Sequence, residues 1–176
     1  ASLAAGPEPM LAEIFGDIER GDLDLAMRRV DRLIDAYPKF RLGHLIRGDL
    51  FLARTQPLTR FGQVGGDTAQ ERVADLRAEA IARLQGYRIK PPENFVPRYL
   101  TQMADEQKFA IVVDAQKSRL YVYQNDHGTP RFLADYYVTQ GKLGADKYRE
   151  GDKKTPIGVY HVTSEMPRNK LADLYG

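Results

Sequence analysis

The amino-acid sequence predicts an α+β protein, in which a helical first half is followed by an antiparallel β-sheet. Two observations carry this prediction. Up to about residue 86, apolar residues recur at the spacing that places them on one face of a helix, whereas short runs of β-branched and aromatic residues dominate after residue 106. Short polar turns separate these runs, and short connections indicate antiparallel pairing because parallel strands need a long crossover.

Four helices are expected in the first half. Asp22 is a suitable N-cap for the second helix, because its carboxylate can accept hydrogen bonds from free backbone N–H groups. Gly21 and Pro38 bound that helix, and the glycines and proline of residues 55–66 indicate a loop before the last helix. The expected helices cover residues 7–18, 23–37 and 42–53, and a segment that starts at Asp67 or Thr68.

Residues 91–106 are expected to link a helical repeat-like region at 1–90 to a β domain at 107–176. Pro91 and Pro92 lack backbone donors and favour extended geometry in the residues before them. Strands are expected in the β domain over residues 109–113, 119–123, 132–139 and 159–163, with a long polar loop at 140–154.

The composition excludes several classes of protein. The chain of 176 residues carries 26 basic and 24 acidic side chains, so it lacks the concentrated positive charge that nucleic-acid binding needs. The absence of cysteine excludes disulfides, thiolate metal sites and a cysteine nucleophile within the chain. No apolar run is long enough for a transmembrane helix, and the first residues lack the pattern of a signal peptide. No cofactor, metal or nucleic-acid partner is expected.

The first two helices and the start of the third resemble tetratricopeptide repeat units. With Pro38 as the terminal proline of a repeat, Ala26 falls at a position that needs a small residue. Gly48 and Phe51 then fall at the small and aromatic positions of the next repeat. The alternative is a plain helical hairpin. Because stacked repeats need about three units to bury a continuous core, the helical region is expected to pack against the second half of the chain.

The titratable residues alone predict no complete active site. Asp146, Glu150 and Asp152 share their loop with four lysines, which is typical of a solvated surface rather than of an acid–base pair. His161 is the single histidine on a predicted strand, but catalysis would also need a nucleophile and a group that orients the imidazole. Residues 62–66 contain glycines but lack the Lys-Ser/Thr pair of a phosphate-binding loop.

The second half contains a spaced set of motifs. The strand RLYVY at residues 119–123 follows a turn at 114–118, and the third strand leads to Gly141. The segment GDKKTPIGVY at residues 151–160 is similar to the pattern G-x-x-x-T-P-x-G-x-[YF]. Over roughly residues 107–165 these motifs resemble the front half of an L,D-transpeptidase catalytic domain, the YkuD-type fold. The resemblance implies that a substrate-proximal or structural motif is formed by Lys154, Thr155, Pro156, Gly158 and Tyr160.

The chain departs from this family at the catalytic residues. In the family, catalysis rests on a histidine and a Ser/Thr-x-Gly-Cys element that follow the Thr-Pro strand, and this chain has no cysteine. The resemblance therefore implies the N-terminal part of such an enzyme, truncated before its catalytic segment. No catalytic residue is assigned within the chain, which is expected to be inactive alone. Pro156 is expected to be the first residue of the fourth strand. Gly158 lacks a Cβ atom, and the resemblance implies that the catalytic segment would approach the chain closely at this position.

By the same resemblance, the whole enzyme would act on peptidoglycan stem peptides in the periplasm or cell envelope. Its cysteine would cleave a tetrapeptide donor before the terminal D-Ala. The acyl group would then pass to an amine, which makes a crosslink or anchors a protein, or to water. The helical region would bind a protein partner. The alternative is a non-catalytic helical-repeat adaptor or cell-wall-binding module.

Overall fold

The computed structural model describes residues 6–57, 60–62, 67–92, 94–141, 144–145, 147, 149 and 151–167, without the side chains of residues 67–69. This described part contains four helices and an antiparallel sheet of three strands, which confirms the predicted α+β class. The helices are α1 (Glu8–Glu19), α2 (Leu23–Ala36), α3 (Arg41–Leu52) and α4 (Asp67–Arg88). The strands are β1 (Phe109–Asp114), β2 (Arg119–Asp126) and β3 (Thr129–Tyr137).

Local sequence signals set the ends of the helices. The side chain of Asp22 accepts a hydrogen bond of 3.2 Å from the backbone N–H of Leu25, which confirms the predicted N-cap of α2. Gly21 adopts a φ of 78°, a left-handed conformation that glycine tolerates, so the chain turns sharply between α1 and α2. The side chains of the predicted caps Asp67 and Thr68, like residues 63–66 of the loop before them, lie outside the described part.

The four helices enclose one apolar core. Its members come from every helix and include Leu11, Ile14, Met27, Val30, Leu33, Leu42, Ile46, Leu50 and Ala80. Asp17 is fully buried in α1 and binds Arg20 and Arg29, and Nη1 of Arg29 lies 2.8 Å from its carboxylate. Because a buried charge must be paired and hydrogen-bonded, Arg29 ties α2 to α1 at this point.

The positions that carried the tetratricopeptide resemblance differ in their packing. Ala26 is fully buried between helices. Gly48, however, is exposed and a Cβ atom there would meet nothing within 4 Å, while Phe51 is 49% exposed. The close approach between α2 and α3 occurs instead at Gly43, where a Cβ atom would lie 3.3 Å from Ile34.

The sheet is a meander in which β2 pairs with β1 on one side and β3 on the other. Residues His127 and Gly128 join β2 to β3 with φ values of 52° and 84°, the left-handed pair of a tight hairpin turn. Before β2, the side chain of Asp114 accepts a hydrogen bond of 3.1 Å from the backbone N–H of Lys117, and Ser118 has a φ of 52°. Both connections lie where the sequence predicts turns.

The two faces of the sheet differ in burial. On the inner face, Tyr121 and Tyr123 of β2 are 7% and 0% exposed. On the outer face, Phe109, Ile111 and Val113 of β1 are each more than half exposed, at 54%, 57% and 53%. The sheet therefore presents one apolar face that the described residues leave largely open.

Helix α4 packs against β3, so the helical region and the sheet form one compact unit at residues 1–139. The guanidinium of Arg83 in α4 lies 4.1 Å from the ring centroid of Tyr137 in β3. Nearby, Arg119 pairs with Asp135, and a Cβ atom at Gly86 of α4 would lie 2.6 Å from Nη1 of Arg119. The absence of a side chain at Gly86 lets the helix approach this ion pair.

Residues 140–176 form a second compact unit, in which the predicted fourth strand is absent. The described residues 159–163 belong to no ladder. The prediction was wrong because β-branched and aromatic residues form a strand only on a half-buried pleated surface beside a partner strand. Here Val159 and Val162 are 91% and 81% exposed. The predicted boundaries of the linker at 91–106 stay predictions.

Candidate functional site

The predicted motif at residues 151–160, called the Thr-Pro segment below, begins with a tight turn. Gly151 and Lys153 have left-handed φ values of 80° and 57°. Between them, the carboxylate of Asp152 accepts hydrogen bonds from the backbone N–H groups of Arg149 at 3.2 Å and Lys154 at 3.0 Å. Such bonds from an aspartate to its neighbouring backbone stabilise turns, so Asp152 has a structural role here.

Thr155 connects the Thr-Pro segment to the start of the same unit. Its Oγ1 accepts a hydrogen bond of 2.7 Å from the backbone N–H of Gly141. Its own backbone N–H donates to the carbonyl of Gly144 at 2.8 Å, and it pairs with Ala145 in an isolated parallel bridge. Side chain and backbone of one residue thus close the loop that starts at Gly141.

Gly141 is at a position where only glycine fits. A Cβ atom there would lie 2.3 Å from the carbonyl oxygen of Lys153 and 2.7 Å from Cα of Lys154. These are backbone atoms, which a side chain cannot displace without moving the turn. Gly141 therefore fits closely against the Thr-Pro segment and is also joined to it by a hydrogen bond.

The remaining predicted motif residues lie beyond this closed loop. Pro156, expected as the first residue of a strand, is followed by irregular chain. A Cβ atom at Gly158 would be nearest to the side chain of Tyr160, with the hydroxyl at 3.2 Å. Tyr160 itself is 67% exposed. The structure brings Lys154 and Thr155 to the turn near Gly141, whereas the last three motif residues extend away along the chain.

Each histidine has local surroundings that suggest no catalytic role. His44 is 2.8 Å from the carbonyl of Pro38 through Nε2, which anchors it in the helical region. His127 has a side chain that is 98% exposed and lies 3.0 Å from Asp126 in a hairpin turn. His161 is exposed. Among the described residues, no three potential ligands gather to hold a metal ion. Asp146 and Glu150 of the predicted solvated loop lie outside the described part.

The hydrogen bond between Gly141 and Thr155 was not predicted, although both residues belong to motifs that the sequence shows. Gly141 stands out as the glycine after one strand and Thr155 as the hydroxyl residue before a proline, but only as separate motif elements. Nothing in the linear spacing showed that the two meet. Sequence reasoning also missed a cavity in the unit of residues 1–139, which involves Lys90 and Arg119.

None of the helices that the structure describes combines the length and the apolar character needed to span a bilayer. Comparison of the chain with protein-family models, with curated proteins and with solved structures finds no match.

Proposed function

We propose that this chain is the N-terminal part of a peptidoglycan L,D-transpeptidase, whose catalytic histidine and cysteine lie outside these 176 residues. The observation that carries the proposal is the hydrogen bond of 2.7 Å from the N–H of Gly141 to Oγ1 of Thr155. It joins two of the motif elements that carry the resemblance, the glycine after the third strand and the Thr-Pro segment. If the motifs resembled the family only by chance, there would be no reason for Gly141 and the Thr-Pro segment to contact each other.

In this proposal the reaction is a two-step acyl transfer. A cysteine thiolate attacks the carbonyl carbon that precedes the terminal D-Ala of a stem tetrapeptide, the C–N bond breaks, and D-Ala leaves after its nitrogen gains a proton. An amine or water then attacks the thioester carbonyl and releases the thiol. A neighbouring histidine lowers the pKa of the thiol. The described residues supply the sheet and the closed loop, and none of the reacting groups.

The open outer face of the sheet supports the same proposal. Phe109, Ile111 and Val113 alternate along β1 and are each more than half exposed. An apolar sheet face of this kind normally packs against another layer of the same domain, and the catalytic segment would supply that layer.

The tetratricopeptide-like helical region would bind a protein partner, and the periplasm or cell envelope is the compartment that contains the substrate.

The same open face also favours a second candidate function. In a non-catalytic helical-repeat adaptor or cell-wall-binding module, this face would bind the partner directly. The coding sequence after codon 176 distinguishes the two. A histidine codon followed by a Ser/Thr-x-Gly-Cys element supports the transpeptidase, and a stop codon at that point supports the binding module.

A further inference from the structure

A cavity of about 490 Å³ lies within the unit of residues 1–139. It is bounded by the C-terminal end of α4, the chain after it as far as Phe95, the turn between β1 and β2, and the inner face of the sheet. Its volume lies in the range of pockets that hold small organic ligands or the end of a peptide. Neither Gly141 nor the Thr-Pro segment, whose hydrogen bond carries the transpeptidase proposal, contributes to its lining.

The floor of the cavity is ionic. The side chains of Arg119 and Asp135 are each 6% exposed and form an ion pair. Nζ of Lys90 donates to the other oxygen of the same carboxylate at 2.9 Å. Two cations therefore share one carboxylate at the bottom of the cavity.

The charges of the described lining residues do not balance. The lining holds three cations, Lys90, Lys117 and Arg119, and one carboxylate, that of Asp135. Outside the lining, Asp114 lies 3.5 Å from Nζ of Lys117, so one positive charge remains in excess when both aspartates are counted. Burial lowers the pKa of Lys90, and the charge of Arg119 lowers it further. Glu8 lies nearby but outside the lining, where it is bound by Arg83. An anion that entered the cavity would meet an excess of positive charge in a partly desolvated place, where Coulomb attraction is stronger than in water.

The walls are largely apolar and carry unused hydrogen-bonding groups. The rings of Phe95 and Tyr121 lie 5.6 Å apart, and Ile89 at the rim is 76% exposed. Among the described residues, the side chains of Gln85 and Gln116 in the lining form no hydrogen bond with protein groups, so they can bind the amides of a ligand.

We infer that this cavity binds the C-terminal end of a short apolar peptide, with the peptide carboxylate on Lys90 and Lys117 and its side chains against Phe95, Tyr121 and Ile89. The lysines supply the charge recognition, the aromatic and aliphatic walls supply the buried area, and the two glutamines suit peptide amides. A free organic acid shares the carboxylate and the apolar body but lacks the amides. This inference does not rest on the proposed enzymatic activity, because it concerns binding to the unit of residues 1–139.

The test is calorimetric titration of the whole 176-residue chain with N-acetyl-Phe-Ala, with the C-terminal amide of that dipeptide, and with 3-phenylpropionate. We expect the dipeptide acid to bind at least roughly tenfold more tightly than the amide and more tightly than 3-phenylpropionate. Equal binding of acid and amide, or no saturable binding of the acid up to about 10 mM, would overturn the inference. Binding of 3-phenylpropionate as tight as that of the dipeptide would overturn the peptide assignment in favour of a free acid.

Variants connect the binding to the cavity. The double variant Lys90→Gln/Lys117→Gln removes two cations from exposed or half-exposed positions, and it should lose the preference for acid over amide while keeping its thermal melting profile. Lys108→Gln removes a cation from an exposed residue outside the lining and should bind like the unaltered chain. Retention of the acid preference by the double variant, or its equal loss in Lys108→Gln, would contradict the assigned site.

Discussion

The guanidinium of Arg119 on β2 forms an ion pair with the carboxylate of Asp135 on β3, and both side chains are 6% exposed. The two residues are diagonal neighbours, since Arg119 lies opposite Tyr137 and Asp135 lies opposite Tyr121 in the antiparallel register. The pair sits under the C-terminal part of α4, next to Gly86. It therefore lies where the helical region meets the sheet.

Removal of one partner should destabilise the protein strongly. Asp135→Ala leaves the guanidinium of Arg119 buried and unpaired, and it should lower the free energy of unfolding by about 3 kcal/mol. Urea denaturation measures this change. The control is Asp31→Ala, which breaks an exposed pair with Arg47 and should cost less than about 1 kcal/mol. Similar losses of unfolding free energy in the two variants would show that the buried ion pair contributes no more to stability than the exposed one.

Two helical glycines should respond to alanine in opposite ways. Gly48→Ala places its Cβ atom in open space and should stabilise α3 by up to about 1 kcal/mol, because alanine has the higher helix propensity. Gly86→Ala places a Cβ atom 2.6 Å from Nη1 of Arg119. Because the ion pair with Asp135 holds this guanidinium in place, the substitution should destabilise the protein. Thermal or urea unfolding of both variants checks the contrast. An equal gain in stability would mean that α4 does not approach the ion pair closely.

The hydroxyl of Thr155 should protect the backbone N–H of Gly141. Thr155→Val keeps the shape of the side chain but removes the acceptor, so the Gly141 amide should exchange its hydrogen at least roughly tenfold faster. Thr155→Ser keeps the acceptor and should retain most of the protection. Hydrogen exchange followed by NMR measures this single amide. Unchanged exchange in Thr155→Val would remove the observation that carries the proposed function.

Tyr123 should make the protein sensitive to alkali. Burial, with a smaller effect from Tyr121, raises the pKa of the Tyr123 hydroxyl to about 12 from a usual 10.0. Because the folded pKa is the higher one, the stability from the neutral hydroxyl is complete below about pH 10 and is lost as the pH rises through about 12.

The matched variant is Tyr123→Phe. The hydroxyl of Tyr123 has no hydrogen-bond partner in the described part of the chain, so its removal should change stability little at neutral pH. In alkali, the variant should gain up to roughly 2 kcal/mol relative to the unaltered chain. Urea midpoints measured across this pH range give the comparison, and parallel pH profiles of the two proteins would show that Tyr123 is not the group responsible.

Local features of the fold could be predicted because their causes are local. The N-cap of α2 needs only Asp22 and the free N–H groups beside it. The tight turn at His127 and Gly128 follows from residues that tolerate left-handed geometry. The four helices follow from the spacing of their apolar residues.

Features that depend on register or tertiary burial could not be predicted. The pairing of Arg119 with Asp135 requires the alignment of β2 with β3, and that alignment shifts at Val122 and Tyr123. The strand expected at residues 159–163 had a suitable composition, but composition cannot supply a neighbouring strand. The cavity beside Lys90 depends on how α4 and the sheet pack, which no short motif encodes.

The central proposal is that these residues form part of an L,D-transpeptidase, although the chain of 176 residues contains no cysteine to act as its nucleophile. The most direct measurement is the release of D-Ala from a disaccharide tetrapeptide, by the protein expressed from its whole reading frame and by the 176-residue chain. The account predicts turnover by the whole protein, loss of turnover when its cysteine is replaced by alanine, and no release above background by the 176-residue chain. Absence of turnover by the whole protein, or release of D-Ala by the chain without cysteine, would contradict it.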